Sequence, residues 1–298
     1  MKILYYIIFS LLWLFTLIPL RVQYLFSDAL YFIMYHCIKY RKKVVHQNLI
    51  NSFPNKTKEE ISAIERKFYR HLCDYFFETI KILSMSKSEI KRRIEIKNPD
   101  ELDKYFQNKQ SIFLYLSHYA NWEWLAFSWS VAHPEQKNYK LYPAYFRPTN
   151  KLVEKIILHL REKANSVLIE KRNMLRSVLK MNQEDIHGIF IFLADQRPHR
   201  TSVQHWMPFL NQDTPTIIGP EKLAKKLRMP LFYYRIKKLR RGYFSAELVK
   251  LAENPEEFSD FEITEMYMRE LEKQINEEPA YWLWTHKRWK FKHKNFEN

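Results

Sequence analysis

A chain of 298 residues with 46% hydrophobic content is long enough to bury a full core, as one large domain or two modest ones. Its 49 Lys and Arg against 33 Asp and Glu leave a net charge of +16, which points to anionic partners: nucleic acid, lipid headgroups or phosphorylated substrates. With 3 Gly there is no Gly-rich phosphate cradle, so Walker A and dinucleotide fingerprints are excluded, and two cysteines, Cys37 and Cys73, argue against a disulfide framework. The 8 Trp, 19 Tyr and 21 Phe tilt the balance toward a membrane, because amphipathic rings settle at the water–lipid interface.

Residues 3–20 carry no charge and are closed by Pro19 and Arg21. As one helix they reach about 27 Å, the lower limit for crossing a bilayer. Bulky Val22, Tyr24, Leu25 and Phe26 before Ser27-Asp28-Ala29 disfavour cleavage as a signal peptide. The expectation is an N-terminal hydrophobic membrane anchor over 1–22, followed by one domain over 23–298. Residues 22–38 continue as a second helical pattern suited to the interface, and Lys39, Arg41, Lys42 and Lys43 place this flank at an anionic cytoplasmic leaflet. Thr57-Lys-Glu-Glu60 reads as a capping box opening a long helix whose core face holds Ile61, Ile64, Phe68, Leu72, Tyr75, Phe76 and Ile80. His71 and Asp74 on that helix read as solvated surface.

From Asn98-Pro99 onward strand signals alternate with helical ones. Strands are expected at 111–116, 139–146, 166–170, 188–194, 231–237 and 243–250, and helices at 121–132, 149–163, 172–182, 218–228 and 257–277. The alternation defines an α/β fold with a mostly parallel central sheet flanked by helices. Gly242, between two strand-like segments, marks a hairpin and hence an antiparallel edge.

The stretch that carries chemistry is Ser117-His118-Tyr-Ala-Asn-Trp-Glu123, at the end of an apolar strand where a helical pattern begins. Open α/β sheets place ligands at the carboxyl ends of their strands. With His118 on the strand end and Glu123 in the first helical turn, the carboxylate can fold back onto the imidazole and leave the other ring nitrogen as a general base. A satisfied hydrogen-bonded pair is the plainer reading of the same spacing. Three polar clusters follow other strands: Arg147; Glu170-Lys171-Arg172 with Arg176; and Asp195-Gln196-Arg197. Together they resemble a phosphate-lined cleft around a His base, although charged residues also simply punctuate strands. The C-terminal Trp282, Trp284 and Trp289 alternate with Lys287, Arg288 and Lys290, a pattern suited to a membrane surface or to stacking on single-stranded nucleic acid. His199 and His205 lack a third ligand nearby, so no metal site is expected.

Taken together, these residues resemble the bacterial late acyltransferases of lipid A biosynthesis, within the lysophospholipid-acyltransferase-like superfamily. The resemblance rests on Ile18-Pro-Leu-Arg21, on 41–54 with its Asn48-Leu and Phe53-Pro54, and on the His-x4-acid motif His118–Glu123 in its Asn-Trp-Glu form. Leu193-Ala-Asp-Gln196, Met207-Pro-Phe-Leu210, Thr216 with Gly219 and Ala224, and Trp284-Thr-His-Lys-Arg-Trp-Lys290 follow in the family's order. Departures are Ala120 and Asn211 where the family usually has Gly, and the missing Gly after Asp195-Gln196.

The resemblance implies a glycerolipid-acyltransferase-like fold at the cytoplasmic face of a bacterial inner membrane. It implies transfer of a fatty acyl chain from an acyl carrier protein thioester to a hydroxyl of a phosphorylated lipid A precursor, without a cofactor. His118 is then the base and Glu123 its orienting acid. Arg147, Arg172 and Arg176 would hold phosphates or the oxyanion, and Asp195 and Gln196 would buttress the cleft floor. Two other readings are an acyltransferase for another lipid acceptor, and a membrane-tethered nucleic-acid-binding protein.

Overall fold

The computed structural model describes residues 2–132, 139–145, 150–163 and 165–293. In chain order the helices and strands are α1 Lys2–Leu17, α2 Leu20–Phe32, α3 Lys42–Ser52, α4 Lys58–Lys81, α5 Lys87–Arg93, β1 Ile94–Ile96, α6 Asp103–Gln107 and β2 Ile112–Leu116. There follow α7 Trp122–Ala132, β3 Lys140–Tyr145, α8 Lys151–Lys163, β4 Ile169–Glu170, α9 Met174–Gln183 and β5 Gly188–Leu193. The chain continues through β6 Trp206–Phe209, β7 Gln212–Pro215, α10 Gly219–Leu227, β8 Leu231–Arg240, β9 Tyr243–Ala252 and α11 Glu262–Glu277.

The apolar run of β2 is buried along its whole length, as a strand covered on both faces requires. It lies in a sheet of order β1-β9-β8-β2-β5-β3-β4, in which β8, β2, β5, β3 and β4 run parallel. Helices flank this sheet, as the alternating pattern requires. Gly242, with φ +71°, turns β8 into antiparallel β9. That pair is not the edge, because the short β1 adds beyond β9. Neither β1 nor the small β6–β7 hairpin carries enough periodic residues to be read from sequence.

Thr57 and Glu60 form the capping box that starts α4, and Ile61, Phe68 and Leu72 enter the core. Phe76 is exposed, and His71 and Asp74 are buried, the reverse of the sequence expectation for these three. The reason is tertiary. β8 and its turn bring cations onto this face: Lys238 Nζ lies 3.2 Å from His71 Nδ1, and Arg241 grips both Asp74 oxygens. Burial first, then Lys238, holds the His71 imidazole well below its ordinary pKa.

The expected single anchor helix is broken. Pro19 disfavours helix at Ile18, and α1 and α2 meet at 114°. No single helix among the described residues is long and apolar enough to cross a membrane; the bent pair qualifies by length and composition. Carbonyls freed at the break are capped from within. Gln23 Nε2 donates to Ile18 O at 2.9 Å, and Ser84 Oγ and Lys81 Nζ donate to Thr16 O at 2.7 and 2.5 Å. The outward faces expose Tyr6, Ile7, Leu11, Leu14, Leu25 and Phe26.

Candidate active site

β2 and β5 are parallel neighbours paired from Ile112 with Ile189 to Leu116 with Leu193. Two residues further on, the same register sets His118 opposite Asp195. His118 Nδ1 lies 2.7 Å from Asp195 Oδ1, the His118 main-chain N–H donates to Oδ2 at 2.9 Å, and Trp282 Nε1–H donates to Oδ2 at 2.8 Å. Asp195 is 0% exposed. Burial pushes its carboxyl up, but the imidazole and the Trp282 and main-chain donors outweigh burial and hold it below its ordinary value. An ionised Asp195 accepts only, so Nδ1 carries the proton and Nε2 is left with a free lone pair.

The loop 118–121 is clamped from two sides. Leu283 N–H donates to His118 O at 3.0 Å, Ala120 N–H to Tyr281 O at 2.9 Å, and Tyr119 O–H to Glu278 O at 2.8 Å. Ala120 sits at φ +51°, the left-handed region that favours glycine. On the α4 side, Asn121 caps α7 by accepting from Trp124 N–H at 3.1 Å, while its Nδ2 donates to buried Glu78 at 2.9 Å. Tyr24 O–H donates to the other Glu78 oxygen at 2.9 Å. Burial raises the Glu78 carboxyl and Lys238 partly offsets it.

Because Asn121 starts α7 at once, Glu123 is carried away from the imidazole onto the face toward α8. There Arg161 Nη2 meets both of its oxygens, at 2.6 and 2.5 Å. The carboxylate on His118 is therefore Asp195, not Glu123. Trp122 packs edge-on against the imidazole at 5.0 Å between centroids and stacks on Tyr75 at 4.2 Å. Phe68, His71, Leu72, Tyr75, Trp122, Tyr281, Trp282 and Leu283 close a narrow, mostly apolar cavity of ≈ 10 Å³ beside His118.

The expected basic residues gather less closely. Arg172 follows β4, three strand positions from β2 and so roughly 14 Å along the sheet. It is exposed and donates to Glu170 at 2.7 Å. Arg176 is exposed on α9, Gln196 is half-buried beside Asp195, and Arg147 lies outside the described residues. The C-terminal tryptophans are not a surface: Trp282, Trp284 and Trp289 are buried, so they offer no stacking platform for nucleic acid. His199 meets Thr201 at 2.9 Å and His205 meets Glu265 at 2.8 Å. Sequence reasoning passed over Arg161 and Glu78, and it read Trp282 as part of a surface pattern rather than as a donor to Asp195.

The fold and site define an α/β protein with a His–Asp couple at the carboxyl edge of a mostly parallel sheet. Residues 1–291 match the family described as bacterial lipid A biosynthesis acyltransferase, and the chain belongs to that family. It is thus an acyltransferase of lipid A, and hence lipopolysaccharide, biosynthesis, with a lipid acceptor and an acyl donor. No curated protein matches the chain.

Proposed function

We propose that the chain transfers a fatty acyl group from an acyl carrier protein thioester to a hydroxyl of a phosphorylated lipid A precursor. The observation that carries this reading is the 2.7 Å contact of His118 with buried Asp195 at the ends of β2 and β5. His118 Nε2 removes the hydroxyl proton as the oxygen attacks the thioester carbon, and Asp195 stabilises the imidazolium. The C–S bond breaks, and the leaving thiolate takes the proton back from the imidazolium. No acyl-enzyme is needed. Glu123 and Arg161, on the α7 face toward α8, hold polar groups of the acceptor, and the +16 charge favours approach of two anionic substrates.

The exposed apolar faces of α1 and α2, followed by Lys39, Arg41, Lys42 and Lys43, seat the protein at the cytoplasmic face of the bacterial inner membrane as an anchor formed by a bent pair. The test is acyl transfer by purified protein from loaded carrier protein to a tetra-acylated lipid A precursor, read by mass spectrometry. Wild type should form product and His118→Ala should lose roughly 10²–10⁴-fold in turnover. Unchanged turnover in His118→Ala would remove the base assignment, and absence of product with wild type would remove this donor–acceptor pair.

A further inference from the structure

Trp282, Trp284 and Trp289 are all buried, and each indole N–H has a partner. Trp284 Nε1 donates to Pro279 O at 2.6 Å and Trp289 Nε1 to Thr214 Oγ1 at 2.7 Å, both outside the couple. Trp282 differs. Its Nε1–H donates at 2.8 Å to Oδ2 of Asp195, the carboxylate whose other oxygen meets His118. Any large apolar ring would serve for packing at this position, but Phe would bring no such donor. The indole is also locked where its proton is needed. It meets Trp284, Phe209 and Trp289 edge-on, with centroids at 4.8, 5.9 and 6.0 Å.

The main chain around Trp282 is joined to the same loop as the histidine. Ala120 N–H donates to Tyr281 O at 2.9 Å and Leu283 N–H to His118 O at 3.0 Å, so Tyr119 and Trp282 pair as an isolated antiparallel bridge. Oδ2 of Asp195 thus accepts from two donors tied together by that bridge, the His118 N–H and the Trp282 indole, while Oδ1 faces Nδ1. Bonds to a charged acceptor in a site sealed from water are short and strong, and two on one oxygen fix the plane of the carboxylate. The titratable neighbours come from every side. His71 and Tyr75 of α4 line the cavity beside His118, Tyr233 of β8 meets Ser117 at 3.1 Å, and Tyr267 of α11 donates to Leu116 O at 2.9 Å. Burial keeps all four neutral and lowers His286 to about 4, and Arg197 and Arg288 stay charged at neutral pH. Removing the indole donor alone alters none of these groups.

We infer that Trp282 is a positioning residue for the reaction, whose indole N–H fixes the Asp195 carboxylate so that Oδ1 meets Nδ1 of His118. The inference rests on the reading of His118 as the base. Without the indole, Asp195 loses a donor that stabilises its charge and becomes the stronger acceptor toward the imidazole. The couple then takes up its proton at higher pH, whichever partner holds it, and less of the enzyme is in the active form near neutrality.

The test compares wild type with Trp282→Phe, which keeps a ring and removes the donor. Carbethoxylation of His118 by diethyl pyrocarbonate between pH 5 and 9, followed by peptide mass spectrometry, reads the imidazole without substrate, and turnover over the same range reads the acidic limb. Both profiles should move up by about half a pH unit to one unit in Trp282→Phe. In Asp195→Asn, where no carboxylate receives the indole proton, adding Trp282→Phe should displace the carbethoxylation profile no further. A folded Trp282→Phe whose profiles superpose on wild type overturns the inference, and so does an equal displacement in the Asp195→Asn background. Wild-type protein carrying ¹⁵N-labelled tryptophan decides the matter even if Trp282→Phe does not fold. The Trp282 indole N–H resonance should move with pH in step with the carbethoxylation of His118, and a resonance that stays fixed through that titration overturns the inference. His118→Ala judges the other claim separately: retained turnover there removes the base, while the carbethoxylation profile and the indole resonance still decide for or against Trp282.

Discussion

Two regions of the site hold one carboxylate each, in opposite settings. At the β2–β5 edge, Asp195 is sealed from solvent and bonded to an imidazole, an indole and a main-chain N–H. On the face where α7 meets α8, Glu123 is half-buried and paired with a guanidinium. The first setting can steady a charge that appears and disappears on His118. The second presents a standing ion pair, suited to holding polar groups of a substrate. The same residue class thus sits in two settings, set by neighbours rather than by sequence distance from the histidine.

The largest effect that could break this comparison is on Asp195. Asp195→Asn keeps the shape but no longer demands the Nδ1 proton, so turnover should fall roughly 10²–10⁴-fold in a folded protein. A smaller loss there than in Glu123→Gln would reverse the two roles. Glu123→Gln and Arg161→Met should each lose about 10- to 100-fold, partly as a rise in KM, as expected when a positioning contact is removed. Because they share one ion pair, the double variant should lose little more than the worse single one. Multiplicative losses would show that they act apart.

Glu78→Leu leaves the Tyr24 hydroxyl and the Asn121 amide without their partner, and should destabilise the fold by about 2–4 kcal/mol in chemical denaturation. Glu78→Gln, which keeps an acceptor and removes a carboxyl that burial already raises, should lose far less.

The smallest effect is on the pH dependence of stability. His71 is held well below its ordinary value and His286 at about 4, so the unfolded chain binds protons more readily than the folded one. Stability should therefore be complete above about pH 7 and decline as pH falls through about 6.5 toward 4. Denaturation midpoints at pH 7.5 and 5.0 should differ more in wild type than in His286→Asn. An equal difference would show that His286 is not buried neutral.

How much of this was legible follows from the physics of each signal. β2, β5 and the helix after His118 are runs of apolar residues with sharp polar ends, so both His118 and Asp195 could be placed at strand ends from sequence. Their partnership could not, because it depends on β5 lying next to β2 rather than on any local pattern. Glu123 seemed the partner because it is near in sequence, but an Asn cap at 121 turns it away. The break in the N-terminal helix was marked by Pro19, yet its 114° angle is set by caps from α2 and α4. The C-terminal Trp and Arg residues looked amphipathic because alternation does not reveal which side is covered.

The most direct test of the account is a double-mutant cycle on turnover with His118→Ala, Asp195→Ala and the two combined. If Asp195 acts through the imidazole, the double variant should be about as slow as His118→Ala alone. Losses that multiply, so that removing Asp195 slows an enzyme already lacking His118 by its full factor, would contradict the couple.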